Sequence, residues 1–359
     1  MPVTSLLSFI SNAALSGNAA QGLLYGLAEN YYYNKWLQTV TYNAPSITFS
    51  TNATLSTNVL IAKEITVASG VTVTCGTWTC FFIAQVFNNQ GTIVNPYGAP
   101  GGEGIYGGGT GGMAGGGVVI VTYTAAIGTI SVNGAVGGTA VYNSGAAYAY
   151  GTIGVGGQLA IVSGISVPIG GNGATTGAYQ PGGSGEPNAG GGGGGGFSGG
   201  YAGGSATVYS FTNGNALITY AVQGISDWWL SNVVGKAPST VTPLLYVYGS
   251  GGGSGGATTG GWGGAGGGGG GGEVIIFGDN IIAGTIDAVG GTGGYNPDNT
   301  GGGGGGAGGI VLAFYGASGL NGTMSLDLAA GPGGVSASGP SGLAGQTGVY
   351  FAASVTVNG

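Results

Sequence analysis

Apolar and polar residues alternate in short runs between residues 46 and 95. SITFS, ATLST, NVLIA, EITVAS, VTVTC, TCFFIAQVF and GTIVN follow one another, with Ser, Asn or Gly at the corners. Ile65-Thr66-Val67 and Val71-Thr72-Val73 keep the two-residue period of a half-buried strand. Strands this short and this closely spaced predict a mostly β fold, either a parallel β-solenoid or a sandwich. Residues 1–45 obey another rule. Leu6, Leu7, Phe9, Ile10, Ala14, Leu15, Leu23, Leu24 and Leu27 fit one or two short helices, and Gly17, Gly22 and Gly26 weaken any long one. An aromatic patch, Tyr31–Trp36, follows. This stretch reads either as a segment that attaches the chain to another body or as a helical cap over the first rung of β-structure.

From residue 91 a repeat emerges. GTI occurs at Gly91, Gly128, Gly151 and Gly284, and GTM at Gly322. Each unit reads poly-Gly, apolar strand, short turn, GTI, Gly-rich excursion, with a period of about 37–39 residues. Gly115–Gly138, Gly271–Gly291 and Gly308–Gly334 are clear copies, and Gly348–Gly359 looks like a closing half unit. The 156 residues between Gly128 and Gly284 match four such units. Three regions result: 1–45, a helical attachment or cap segment; 46–98, short strands; and 99–359, the glycine-rich repeat.

Glycine accounts for 91 of 359 residues, and Gly266–Gly272 is an uninterrupted run of it next to an apolar strand. No G-x-y triplet repeat is visible, which excludes collagen. Disordered chains are polar and charged, whereas this one is 42% hydrophobic and 4% charged. A linker has no reason to recur in phase with strands. Poly-Gly, having no Cβ, packs backbone against backbone in extended threefold helices of polyproline II type. Such helices have no internal hydrogen bonds, so their amides must bond to neighbouring segments. The sequence therefore predicts packed polyglycine II-like segments.

Charge narrows the function. There are three Lys or Arg residues, ten acids and no His, for a net charge of −7. A basic footprint for nucleic acid is missing, and no run reaches the length of a membrane span. The N-terminus lacks the basic region of a secretory signal, yet the Ser, Thr, Asn and Tyr surface looks extracellular. A particle protein made in the cytoplasm reconciles the two. Without His or Arg, catalysis loses its commonest base and its bidentate anion clamp; no enzyme and no cofactor is expected. Asp279 and Asp287 share one repeat and are the best carboxylate pair for glycoside hydrolysis, but read better as turn residues. Asn296–Gly301 offers oxygen ligands without a calcium-binding register. Cys75 and Cys80 fit no zinc motif. They are either a local disulfide turned at Gly76 or two buried thiols.

The tentative binding residues are Tyr179, Tyr201, Trp262 and Tyr295, single rings on glycine-rich excursions beside the Asp227–Trp229 stretch. Such rings grip sugars or protein surfaces, or pack on a sister subunit. With these tracts, in-phase strands and aromatic excursions, the chain resembles glycine-rich viral host-recognition proteins. It is similar to the tip adhesins of contractile-tailed phages, whose polyglycine II helices form a sandwich carrying variable loops, and to glycine-rich fibre proteins of archaeal viruses. It departs from the phage tips in its longer β-strands. The resemblance implies a virion fibre or adhesin on the particle surface. It would be joined to other virion proteins through the N-terminal segment and would bind a host receptor such as a glycan. The expected form is a homo-oligomer, a trimer. The alternatives are a structural subunit of an extracellular filament or coat and, more remotely, an ice-binding protein, against which the disorderly Thr spacing argues.

Overall fold

The computed structural model describes residues 37–38, 41–57, 59–76, 79–96, 100–102, 109, 111–140, 264–297, 301–339 and 341–354. These are mostly β, and every strand pairing is parallel. One turn of helical backbone, at Leu37, Gln38 and Thr41, precedes the strands. The rest of the N-terminal helical expectation lies outside the described residues.

Long and short strands alternate along the chain. They are β1 (Ile47–Phe49), β2 (Ala53–Leu55), β3 (Val59–Val67), β4 (Thr72–Cys75), β5 (Thr79–Asn89), β6 (Thr92–Val94), β7 (Gly117–Ala126), β8 (Thr129–Ser131), β9 (Glu273–Ile282), β10 (Thr285–Asp287), β11 (Ile310–Asn321), β12 (Ser325–Asp327) and β13 (Val349–Ser354). The odd strands form one seven-stranded sheet and the even strands a six-stranded sheet, each in chain order. Each odd-even pair thus lies on the pair before it. Ala62, Phe82, Ile120, Val274 and Val311 from the first sheet meet Val73, Ile93, Ile130 and Ile286 from the second in one core.

The corners explain the GTI signature. Thr92 pairs with Thr129 and Thr129 with Thr285, so three copies lie in register. Gly128 sits at φ 56°, in the left-handed region, and a Cβ there would overlap the Asn89 carbonyl below. Asn89 is buried at the same corner. Its side chain donates to the Ile127 carbonyl at 2.6 Å and the Thr129 carbonyl at 3.1 Å, and accepts from the Gly91 amide at 3.1 Å. The GTM at Gly322 does not join the column. Gly322 turns at φ 92°, and Ser325 pairs with Thr285 in place of Thr323.

Three sequence expectations change. NVLIA and EITVAS form one strand, β3, because an irregularity at Lys63 and Gln85 carries the polar residues outward without ending the pairing. The four units expected between Gly128 and Gly284 are absent from the stack. Val118 pairs directly with Val274, and Ile130 with Ile286, so no strand from residues 141–263 stands between them. The third change is in rung length. Ile47 pairs with Ile65 and Val59 with Phe81, offsets of 18 and 22, while Cys80 pairs with Val118 and Val274 with Val311, offsets of 38 and 37. The rung is the shorter one, and the period of the repeat adds a glycine-rich excursion to it.

The excursions are ordered. Outgoing segments leave the short-strand sheet (132–140, 288–296, 328–336), and returning segments enter the long-strand sheet (111–116, 264–272, 301–309, 341–348). Within the returning layer Gly112 donates to Gly267 and Gly115 to Gly270, and Gly268 donates to Gly304 and Gly271 to Ala307. Between layers Gly266, Gly269 and Gly272 donate to Gly138, Ala135 and Val132, and Gly303, Gly306 and Gly309 donate to Gly294, Gly291 and Ala288. These N···O distances run from 2.7 to 3.2 Å. Each neighbour is addressed at every third residue. Within the returning layer the segments lie so close that a Cβ at Gly269, Gly272, Gly306 or Gly309 would overlap a carbonyl oxygen of the adjacent segment, and between layers a Cβ at Gly134 or Gly290 would overlap the carbonyl of Gly269 or Gly306.

Candidate exposed faces and buried groups

The three-residue spacing of the hydrogen bonds along the glycine segments also fixes which side chains face solvent. In the outgoing segments the third class of residue points out: Val136 and Thr139, then Thr292 and Tyr295, then Pro332 and Val335. Each row lies in register with the next, since Gly137 donates to Thr292, Ala140 to Tyr295, Gly293 to Pro332 and Asn296 to Val335. Val136, Tyr295 and Val335 are 48%, 47% and 60% exposed, and all three are large and apolar. Of the four aromatic residues expected to bind, Tyr295 is thus placed on an open face. Tyr179, Tyr201 and Trp262 lie outside the described residues, as does Asp227–Trp229.

The outer face of the short-strand sheet continues this surface. Thr72, Thr92, Thr129, Thr285 and Ser325 form one column, and Thr54, Thr74, Val94, Ser131, Asp287 and Asp327 form the next. The column was hidden in the sequence, where successive members are 20, 37, 156 and 40 residues apart. Stacking removes those differences, so the objection drawn from irregular Thr spacing falls. Asp287 and Asp327 face each other across paired strands. Partial burial, then the neighbouring Asp327 carboxylate, raises the Asp287 pKa above the usual carboxylate range.

The other candidates have structural roles. Asp279 is buried in the long-strand sheet and Asp287 lies on the short-strand sheet, so the two do not form one site. Ser318 donates to Asp279 Oδ2 at 2.5 Å, and Asp279 Oδ1 lies so close to Gly316 that a Cβ there would overlap it. This carboxylate fills the irregularity where β11 carries extra residues between Tyr315 and Gly319. Asn296 is buried and donates to the Gly301 carbonyl at 3.3 Å, closing its own turn. No group of three metal-ligating side chains occurs among the described residues. No described helix is long and apolar enough to cross a membrane.

Cys75 and Cys80 are buried thiols, not joined as a disulfide, and both belong to the core between the sheets. They stand at the end of β4 and the start of β5, and of the two alternatives the structure has the buried thiols, not the local disulfide. A hydrogen bond with Cys80, then burial, pushes the Cys75 thiol far above its ordinary range. Glu273 opens β9 between Gly117 and Ile310 and is also buried. Burial raises its pKa well above the usual carboxylate range. Sequence reasoning passed over both Asn89 and Glu273, although a Glu placed directly between poly-Gly and an apolar strand was a visible signal.

No family model, no curated protein and no solved structure matches the chain.

Proposed function

We propose that the chain is a fibre or adhesin of a virion surface, a β-solenoid whose rungs extend into a polyglycine II sandwich. The observation that carries this reading is the division of side chains in the outgoing segments. Two of every three positions pack against neighbouring backbones, and the third is displayed in register with those above and below. Such a lattice presents rows in register on one support, Val136, Thr292 and Pro332 in one and Thr139, Tyr295 and Val335 in the next. Repetition over several chains raises avidity without any strong single contact, and three copies per fibre fit this use. The receptor class is a glycan, gripped by Tyr295 together with Tyr179, Tyr201 and Trp262, with Val335 beside Tyr295 in its row and Val136 in the adjoining row packing on its sugar faces.

The test is binding of the full chain to a glycan array, compared with Tyr295→Ala and Val335→Ser. Lost binding at an unchanged melting temperature supports the adhesin. Retained binding with a lowered melting temperature would make the same row a contact between subunits of a filament or coat. A second reading rests on the threonine column. An uncharged, flat ladder of hydroxyl and methyl groups suits ordered water, as on an ice face. Asp287 and Asp327 interrupt that surface with carboxylates, which ranks ice binding below attachment. An ice-recrystallisation assay on the full chain separates the two.

A further inference from the structure

The chain holds two Asn-x-Thr triplets, Asn52-Ala53-Thr54 and Asn321-Gly322-Thr323, and no Asn-x-Ser. Such a triplet is the acceptor for an N-linked glycan. The two lie far apart in the sequence, and the fold gives them equivalent places. Asn52 immediately precedes β2, and Asn321 ends β11 at the corner before β12. β2 and β12 are the two edge strands of the short-strand sheet. The corners before the four inner strands, at Ser69-Gly70, Gln90-Gly91, Ile127-Gly128 and Ala283-Gly284, carry no acceptor. One acceptor thus stands at each edge of this sheet, and none at the corners between.

We infer that Asn52 and Asn321 are N-glycan sites, and that their glycans shield the two edges of the short-strand sheet. Both Asn residues and both Thr residues are exposed. Asn52 Oδ1 accepts from the Thr72 amide at 2.9 Å, which orients the side chain and leaves Nδ2 for the sugar. Asn321 Nδ2 donates one hydrogen to Asn280 Oδ1 at 2.7 Å. Its other hydrogen has only the Ser318 carbonyl at 3.4 Å, and this is the one the sugar replaces. The corner opens at the same place. Gly322 turns at φ 92° and Ser325 takes the pairing position opposite Thr285, so the Thr323 hydroxyl stands outside the column that holds Thr92, Thr129 and Thr285. In the transfer, Nδ2 attacks C1 of the first sugar of a lipid pyrophosphate-linked oligosaccharide. The Nδ2–C1 bond forms, the C1–O bond breaks, the lipid pyrophosphate leaves, and the Nδ2 proton passes to a base of the transferase. The shielding follows from the strand order. An edge strand presents unpaired backbone groups that invite another chain, and a bulky, hydrated glycan rooted beside it blocks that approach. These sugars are carried by the chain and are separate from any receptor that it binds.

The test is the full chain secreted from a eukaryotic cell behind a cleavable leader, with its mass read before and after treatment with peptide N-glycosidase. Wild type should carry two glycans. Asn52→Gln and Asn321→Gln should each lose one, and the double variant Thr54→Ala, Thr323→Ala should carry none. Light scattering should then show the double variant associating, with at least about a doubling of mass at raised concentration, while glycosylated wild type does not. Should the double variant fail to fold, glycosidase-treated wild type gives the same comparison without a substitution. A chain without glycan at either Asn overturns the inference, and so does a glycan at one of them alone. Two glycans whose removal leaves the mass in solution unchanged overturn the shielding role.

Discussion

Gly269→Val is the most direct perturbation of the packed glycine layers. The Gly269 amide donates to the Ala135 carbonyl at 2.8 Å, and its carbonyl accepts from Gly291 at 2.7 Å. A Cβ on Gly269 would overlap the Met113 carbonyl, itself the acceptor for Ala135 at 2.8 Å. Making room separates three segments and breaks these three bonds, with the neighbouring Gly115–Gly270 bond at 2.9 Å the next to go. At about 1 kcal/mol net per bond the loss is near 4 kcal/mol. Overpacking adds about 2 kcal/mol, and the stiffer unfolded chain returns about 1 kcal/mol. The balance, about 5 kcal/mol, is comparable to the whole stability of many domains. Thermal unfolding followed by circular dichroism should show a melting temperature lower by about 10 °C or more. Val136→Ala, an outward position in the adjoining layer, should leave it nearly unchanged. A Gly269→Val protein melting within about 2 °C of wild type would refute the packed reading and return the tract to the status of a linker.

Asn89→Ala should cost about 2–4 kcal/mol in urea unfolding, because it strands the buried Ile127 carbonyl and Gly91 amide together; a change under about 0.5 kcal/mol would mean water replaces the side chain. Glu273 should give a falling stability with pH. Its folded pKa is raised, so its neutral form is favoured in the fold; stability is fully present below the unfolded value near 4.5 and is lost as pH rises from there toward the folded value. Glu273→Gln should flatten that slope in melting temperatures measured from pH 3 to 7, and an unchanged slope would assign it to other carboxylates. The thiols of Cys75 and Cys80 should be silent to a thiol reagent in the native protein, and both should react in denaturant. No reaction in denaturant would mean that they are joined as a disulfide.

Much of the fold was legible because its repeating elements carry their own chemistry. Gly128 and Gly284 recur before Thr-Ile since each corner stacks on the next, and the stacked column is the repeat that the sequence displays. Poly-Gly in phase with strands pointed to packed backbones for the same reason. Glycine also misled. Residues 141–263 share the composition of the repeat, which suggested four further units in the stack, whereas strand pairing carries the stack past them in a single step. Composition records what kind of residue is near, and pairing depends on which strand is next. The Lys63-Glu64 pair looked like a break between strands because alternation failed there. Parallel pairing tolerates such an irregularity when every rung bears one at the same height.

The site was less legible, and the cause is geometric. A segment bonded at every third residue shows solvent only one residue in three, so a surface row is assembled from positions such as Val136, Thr292 and Pro332 that have nothing in common along the chain. The same holds for Thr72, Thr92, Thr129 and Thr285, whose spacing looks random until the excursions between them are removed. Tyr295 could be found from sequence because a ring has no cover among glycines. Val335 could not, since a valine near a sheet reads as core. The two faces of the long strands make the opposite case. VVIVTY at Val118–Tyr123 has too many consecutive apolar residues for a strand with one wet side. That excess calls for a cover on the second face of the sheet, where Phe277 and Phe314 are buried and stack with ring centroids 4.7 Å apart.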